Sequence, residues 1–129
     1  MTAVDTNVLL RVIIRDNEAQ AARAHAVLKK QERVFVAKTV LLEVEWVLRG
    51  GYGYTRPQIL AVMRELLDTP NIEVEDEAAV SRALFWHERG LDFADSLHVA
   101  SAGQARSFAS FDEKLQRKAR NLGINVVQP

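Results

Sequence analysis

The sequence contains no cysteine, which excludes disulfide bridges and thiolate metal sites outright. It also lacks a surplus of either charge, because 17 Lys and Arg balance 17 Asp and Glu. Bulk electrostatics therefore do not point to nucleic acid, and any such contact must rest on local patches. No apolar run approaches the roughly 18–20 residues of a membrane span. Asp5 interrupts the opening residues, so the basic-then-apolar layout of a secretory signal is missing. A cytoplasmic protein is the default expectation. Proline (3) and glycine (6) are few, and no linker or repeat divides the chain.

What is present has the size of one domain. The 129 residues, 48% hydrophobic and 26% charged, match a soluble globular domain of about 100–150 residues. A single domain over residues 1–129 is expected, able to bury roughly two thirds of its unfolded surface. The N-terminal apolar run reads as a brief buried strand with Asp5 where it gives out. Val8 to Ile14 follows as a short helix, and Asp16 or Asn17 caps the next one, Glu18 to about Lys30. Val34 to Val36 reads as a second strand. Thr39 is the expected cap of an apolar helix to about Arg49, stopped by Gly50 and Gly51. Thr55 caps a helix from Pro57 to about Asp68.

Ile72 to Val74 alternates as a third strand, after the break at Pro70-Asn71. Asp76 is placed as the cap of a helix Glu77 to Arg89, closed by Gly90. Asp92 is placed as the cap of one running to about Ala105. Ser107 to Phe111 is the fourth strand, Glu113 to Leu122 a helix ended by Gly123, and Ile124 to Val127 the last strand. Strands interleaved with helices call for an α/β fold, a mostly parallel sheet covered on both faces.

Four acids fall at telling places on that outline. In successive βα units, strand carboxyl ends and helix N-termini share one edge of the sheet, where such folds bind ligands. Asp5 follows the first strand and Asp112 the fourth. Glu43 lies in the opening turns of its helix, and Asp95 in the first turn after Asp92. Two unit charges ~4 Å apart cost about 4 kcal/mol at an effective dielectric of 20. A cluster of such carboxylates needs a compensating cation, and hard oxygen ligands suit Mg²⁺ or Mn²⁺.

Each acid also has a plain structural reading. Asp5 can be a turn residue, Asp92 and Asp112 helix caps, and Asp95 an acid favoured by the helix dipole. Glu43 has Val40, Trp46 and Val47 as its neighbours one turn away, an apolar row in which an unpaired carboxylate is costly. Glu45, with Arg49 one turn on, reads as a surface pair. The functional argument is the coincidence of the four.

The ordered set resembles a known family. Val4-Asp5-Thr6-Asn7, Leu42-Glu43-Val44, Asp92-Phe93-Ala94-Asp95-Ser96-Leu97-His98 and Ser110-Phe111-Asp112 look like the PIN-domain nucleases. More closely, the chain resembles the VapC-type ribonuclease toxins of bacterial toxin–antitoxin pairs over nearly its full length. That resemblance implies a three-layer α/β/α sandwich on a five-stranded parallel sheet and metal-dependent endoribonuclease activity. It implies Asp5, Glu43, Asp95 and Asp112 as the acidic residues of the site, with Asp5 and Asp95 the most regular metal ligands. Thr6, Asn7, Asp92 and Ser110 would support them. Ser110 stands where the family usually has threonine, a departure that keeps the hydroxyl. The implied partners are RNA, a homodimer mate and a cognate antitoxin laid in a groove of the apolar N-terminal helices.

Candidate phosphate contacts are Arg11, Arg15, Arg49, Lys114, Arg117, Lys118 and Arg120, although a run such as Arg117 to Arg120 is more often a solvated helix face. Trp46, Phe93 and Phe111 are expected in the core. His25 and His87 read as helix-face residues, and His98 as a packed or surface histidine one turn beyond Asp95. Three competing readings remain: a PIN-like module that only binds protein, an aspartyl-phosphate phosphatase and a receiver domain. The phosphatase usually shows Asp-x-Asp after its first strand, where this chain has Asn7. The receiver expects a lysine after the last strand, which Val126-Val127-Gln128-Pro129 does not offer.

Overall fold

The computed structural model describes residues 1–30 and 33–129. The chain divides into two compact units, Met1–Glu77 and Ala78–Pro129. In the first, β1 (Thr2–Ala3), β2 (Val34–Val36) and β3 (Ile72–Val74) form a parallel sheet in that order. The register pairs Thr2 with Val34 and Ala3 with Phe35, then Phe35 with Glu73. Around it lie α1 (Thr6–Ile14), α2 (Glu18–Lys30), α3 (Lys38–Tyr52) and α4 (Arg56–Asp68). Val34, Val36, Leu41, Val44, Leu48 and Ile59 are among its most buried residues.

The second unit contains α5 (Glu77–Glu88, whose first residue closes the first unit), α6 (Phe93–Ala100), β4 (Phe108–Ala109), α7 (Glu113–Asn121) and β5 (Val126–Val127). Strands β4 and β5 pair in parallel, Phe108 with Val126. Leu91, Leu115, Ala119 and Val126 form one buried cluster of it, with Trp86, Phe108, Leu122 and Ile124 packed against them, and Val80, Leu84 and Phe93 are buried as well. Among the described residues no helix is long and apolar enough to cross a membrane.

The α/β class and the parallel pairing are as expected. Among the described residues the strands pair as one sheet of three and one of two, where the resemblance implies a single sheet of five. Strands of two or three residues carry too few ladder bonds for pattern alone to specify their neighbours.

Several helix ends differ for local reasons. Helix α3 begins at Lys38 and is not capped by Thr39. Its first N–H donates to Glu75 Oε1 at 2.9 Å, an acceptor from the end of β3. It passes through Gly50 and Gly51 and stops at Gly53 (φ 68°), where the Tyr54 N–H donates to the Leu48 carbonyl at 2.9 Å. Asn17, not Asp16, caps α2, accepting from the Gln20 N–H at 3.0 Å. Asp16 pairs with Arg11 at 3.0 Å instead. Asp76, with φ 51°, directs its carboxylate to Lys38 Nζ at 3.2 Å. Helix α6 ends at Ala100, five residues before the expected Ala105. Thr55 caps α4 as expected, in a reciprocal capping box with Gln58.

Candidate active site

The second unit brings two of the four expected acids, Asp95 and Asp112, within electrostatic reach of each other, with the expected supporting residue Asp92 acting on Asp95 as well. The turn into α6 is set by the Leu91 carbonyl. His87 Nδ1 lies 2.8 Å from it and, facing a group that only accepts, donates to it. The Ser96 hydroxyl donates to the same carbonyl at 3.4 Å. Phe93 is buried and meets the His87 ring edge-on at 5.7 Å. His87 is thus a core residue, not the helix-face residue expected. These contacts fix the start of α6 and hence Asp92 and Asp95.

Asp92 occupies the N-cap of α6 but makes no capping hydrogen bond with its side chain. The cap reading is therefore met in position and not in chemistry, which leaves the carboxylate exposed. The Asp95 carboxyl is held above the usual aspartate range. Burial is the first cause, followed by the negative charges of Asp92 and Asp112, while His98 and Lys118 pull the other way. None of the three aspartates forms an ion pair among the described residues.

Asp112 is built into a firm turn. Its Oδ1 accepts from the Leu115 N–H at 3.0 Å, so it does cap α7. Its own N–H donates to Ser110 Oγ at 3.0 Å. The Ser110 carbonyl accepts from Gln116 Nε2 at 2.6 Å, and the Ser110 N–H donates to the Val127 carbonyl at 3.0 Å. Gln116 is buried and was not singled out from the sequence, although a polar residue between Leu115 and Ala119 on the buried stripe of α7 was the available signal.

In the first unit, Asp5 is exposed at the N-cap of α1, again with no capping bond from its side chain. Thr6 is buried and Asn7 exposed. Because β1 and β2 are parallel, Asp5 and the start of α3 leave the same edge of this sheet. Glu43 stands in the second turn of α3, roughly 8 Å along the axis from Lys38, and is exposed.

The burial of the two α3 glutamates is the reverse of the sequence reading. The buried stripe is Leu41, Val44, Glu45 and Leu48, so Glu45 is only 3% exposed and accepts from Arg49 Nε at 2.8 Å. Glu43 lies off that stripe. Trp46 (65% exposed) and Phe111 (73%) likewise stand outside the core where they were expected, whereas Phe93 (2%) is inside it.

The cations also sort themselves. Arg11 pairs with Asp16, Arg15 with Glu18 and Arg49 with Glu45. Arg120 donates to the Val126 carbonyl at 3.2 Å. Lys114, Arg117 and Lys118 of α7 form no ion pair among the described residues, and the charge of Lys118 is felt at Asp95.

The carboxylate and carbonyl oxygens available are hard donors, the set that suits Mg²⁺ or Mn²⁺. Among the described residues no group of three or more His, Asp or Glu stands at metal-binding spacing. Magnesium accommodates this, since it is commonly held by one or two carboxylates and keeps several waters.

Compared with known families, residues 2–121 match the PIN domain, and the match spans both units. The chain belongs to the PIN domain family, a class whose fold is generally that of a nuclease. A comparison with curated proteins gives no match.

Proposed function

We propose that the protein is a metal-dependent endoribonuclease, hydrolysing RNA phosphodiester bonds as the toxin of a VapC-type toxin–antitoxin pair in the cytoplasm. The observation that carries this reading is Asp95 of a PIN-family chain, half-buried, without an ion pair among the described residues and within reach of the negative charges of Asp92 and Asp112. Asp5 and Asp95 are the proposed direct ligands. Asp112 acts as a ligand or through a water, and Glu43 as a second ligand or as the group that orients the attacking water. Thr6 and Asn7 support Asp5, Asp92 adds negative charge beside Asp95, and Ser110 positions Asp112. The four acids act together on the family's five-stranded sheet in this reading, as a single domain. A bound Mg²⁺ or Mn²⁺ supplies a water of lowered pKa and neutralises charge on the phosphoryl oxygens.

Lys114, Arg117 and Lys118 are the proposed phosphate contacts. The proposed antitoxin site is in the first unit, where a cavity of about 610 Å³ opens among α1, α2 and α4, lined by Val12, Ile13, Leu28, Val62 and Leu66. Its apolar walls support docking of an amphipathic helix. A homodimer completes the reading.

The test is RNA cleavage by antitoxin-free protein with Mg²⁺ or Mn²⁺ and with EDTA, beside a folded Asp95→Asn variant. Cleavage that needs metal and is lost in the variant supports the nuclease. Absence of cleavage and of metal binding by folded protein leaves the non-catalytic, protein-binding module instead.

A further inference from the structure

Phe111 is the most exposed aromatic side chain among the described residues, at 73%. A phenyl ring in water forgoes the hydrophobic gain it has in a core, so its place outside needs a reason. Its position is not a loose one. The preceding residue is tied through its N–H to Val127 and through its carbonyl to Gln116, and the following residue caps α7. The Ser110 hydroxyl closes the turn beneath it by accepting from the Asp112 N–H. The ring is thus held out on a braced turn.

Its faces are also open. Phe85, at 49% exposure, has the Arg89 guanidinium 3.4 Å over its ring. Phe111 has no ring or cation partner among the described residues. One residue on, ~3.8 Å away along the backbone, is Asp112, whose charge is felt at Asp95. Within the next two turns stand Lys114, Arg117 and Lys118, with no ion-pair partners among the described residues.

We infer that Phe111 is a stacking platform for an unpaired RNA base at the nucleotide next to the bond that is cut. This rests on the ribonuclease reading and adds a substrate-positioning residue to it. An aromatic face, a carboxylate group and cations without an ion pair among the described residues, in one short stretch, match the three parts of a nucleotide strand: base, metal-bridged phosphate and flanking phosphates. Stacking accepts any base because every base has a π face, and it requires that base to be out of a duplex.

The experiment uses the full chain and single-stranded RNA of mixed sequence, with cleavage measured in Mg²⁺ and binding measured in the Asp95→Asn background. Phe111→Ala is expected to raise KM and Kd roughly 5- to 100-fold, the scale of one base stack. Phe111→Trp restores binding, Phe111→Leu does not, and Phe85→Ala leaves it unchanged. On an abasic oligonucleotide of equal length the parent and Phe111→Ala bind alike. Should the alanine variant melt early, the Leu and Trp pair decides.

Equal cleavage and binding by parent and Phe111→Leu overturns the inference while the ribonuclease reading stands. So does an equal loss on abasic RNA, or a change in oligomeric state with RNA binding intact, which marks a protein contact. A parent protein that neither binds nor cuts RNA overturns both.

Discussion

The Ser110 hydroxyl accepts the Asp112 backbone N–H at 3.0 Å, and the Asp112 carboxylate accepts the Leu115 N–H at 3.0 Å. One acid is thereby both a helix cap and a candidate metal ligand, and the two duties are separable by mutation. Asp112→Asn keeps a capping oxygen and should fold with near-native stability while losing metal-dependent cleavage. Asp112→Ala should lose cleavage and also roughly 0.5–2 kcal/mol of stability. Urea denaturation beside a cleavage assay reads both. Equal stability losses in the two variants would sink the dual role.

Ser110→Ala removes the hydroxyl that braces Asp112. A hydrogen bond contributes about 0.5–1.5 kcal/mol, so cleavage should fall roughly 2- to 10-fold. Ser110→Thr should recover it. A rate unchanged in the alanine variant would show that the turn needs no hydroxyl.

Asp95 makes stability depend on pH with a definite sign. Its carboxyl is raised in the folded protein, so the folded state binds more protons than the unfolded one between the ordinary aspartate value and the raised one. Metal-free protein should therefore lose stability as pH rises through that window and stay lower above it. Asp95→Asn should lack this slope and be more stable at neutral pH by roughly 0.2–1 kcal/mol, the scale of partly exposed charge interactions. Denaturation in EDTA across a pH series measures the difference. A slope of the opposite sign would falsify the account of Asp95 as raised by burial and by its acidic neighbours. Saturating Mg²⁺ should raise the parent's stability by about 2.7 kcal/mol at 100 times its Kd, and the variant's by less.

The two α3 glutamates should behave oppositely. Glu43 is exposed, so Glu43→Gln should change stability by less than about 0.5 kcal/mol and yet reduce cleavage. Glu45 is buried against Arg49 at 2.8 Å. Arg49→Ala should destabilise by about 1–3 kcal/mol through the carboxylate it leaves buried, and Glu45→Gln should relieve part of that loss. Melting curves of the single and double variants decide it.

Glu75 caps α3 from 37 residues further along the chain. Glu75→Ala should cost roughly 0.5–2 kcal/mol, with Glu75→Gln closer to the parent because it retains an acceptor. An alanine variant as stable as the parent would show that water serves the Lys38 N–H equally well.

The places of the acids along the elements were legible in the sequence, because strand ends and helix starts are marked by local punctuation. Asp92 and Asp112 stand at the N-caps where the reading placed them, and Asp5, read as a turn residue after the first strand, is the N-cap of α1. What was not legible is how each is used. Asp112 caps with its side chain and Asp5 and Asp92 do not, although all three are aspartates before a helix. That choice follows from side-chain direction, which neighbours in space set. Gln116 was missed because its partner, the Ser110 carbonyl, becomes an acceptor needing a donor only once the turn exists.

The sequence by itself determined the type and order of the elements and the places of the acids along them. Alternation and apolar repeat are properties of a few consecutive residues, which is why Glu18–Lys30, Val34–Val36 and Ile72–Val74 agree with expectation at both ends. Tertiary structure alone decided which glutamate of α3 is buried and that Trp46 and Phe111 stand in water. It also decided that Glu75 caps a helix it does not belong to, and that the strands pair as three and two. A helix has several faces of mixed character, and a short strand has two open edges. Which face and which edge are used depends on what packs against them, and no local window of sequence contains that partner.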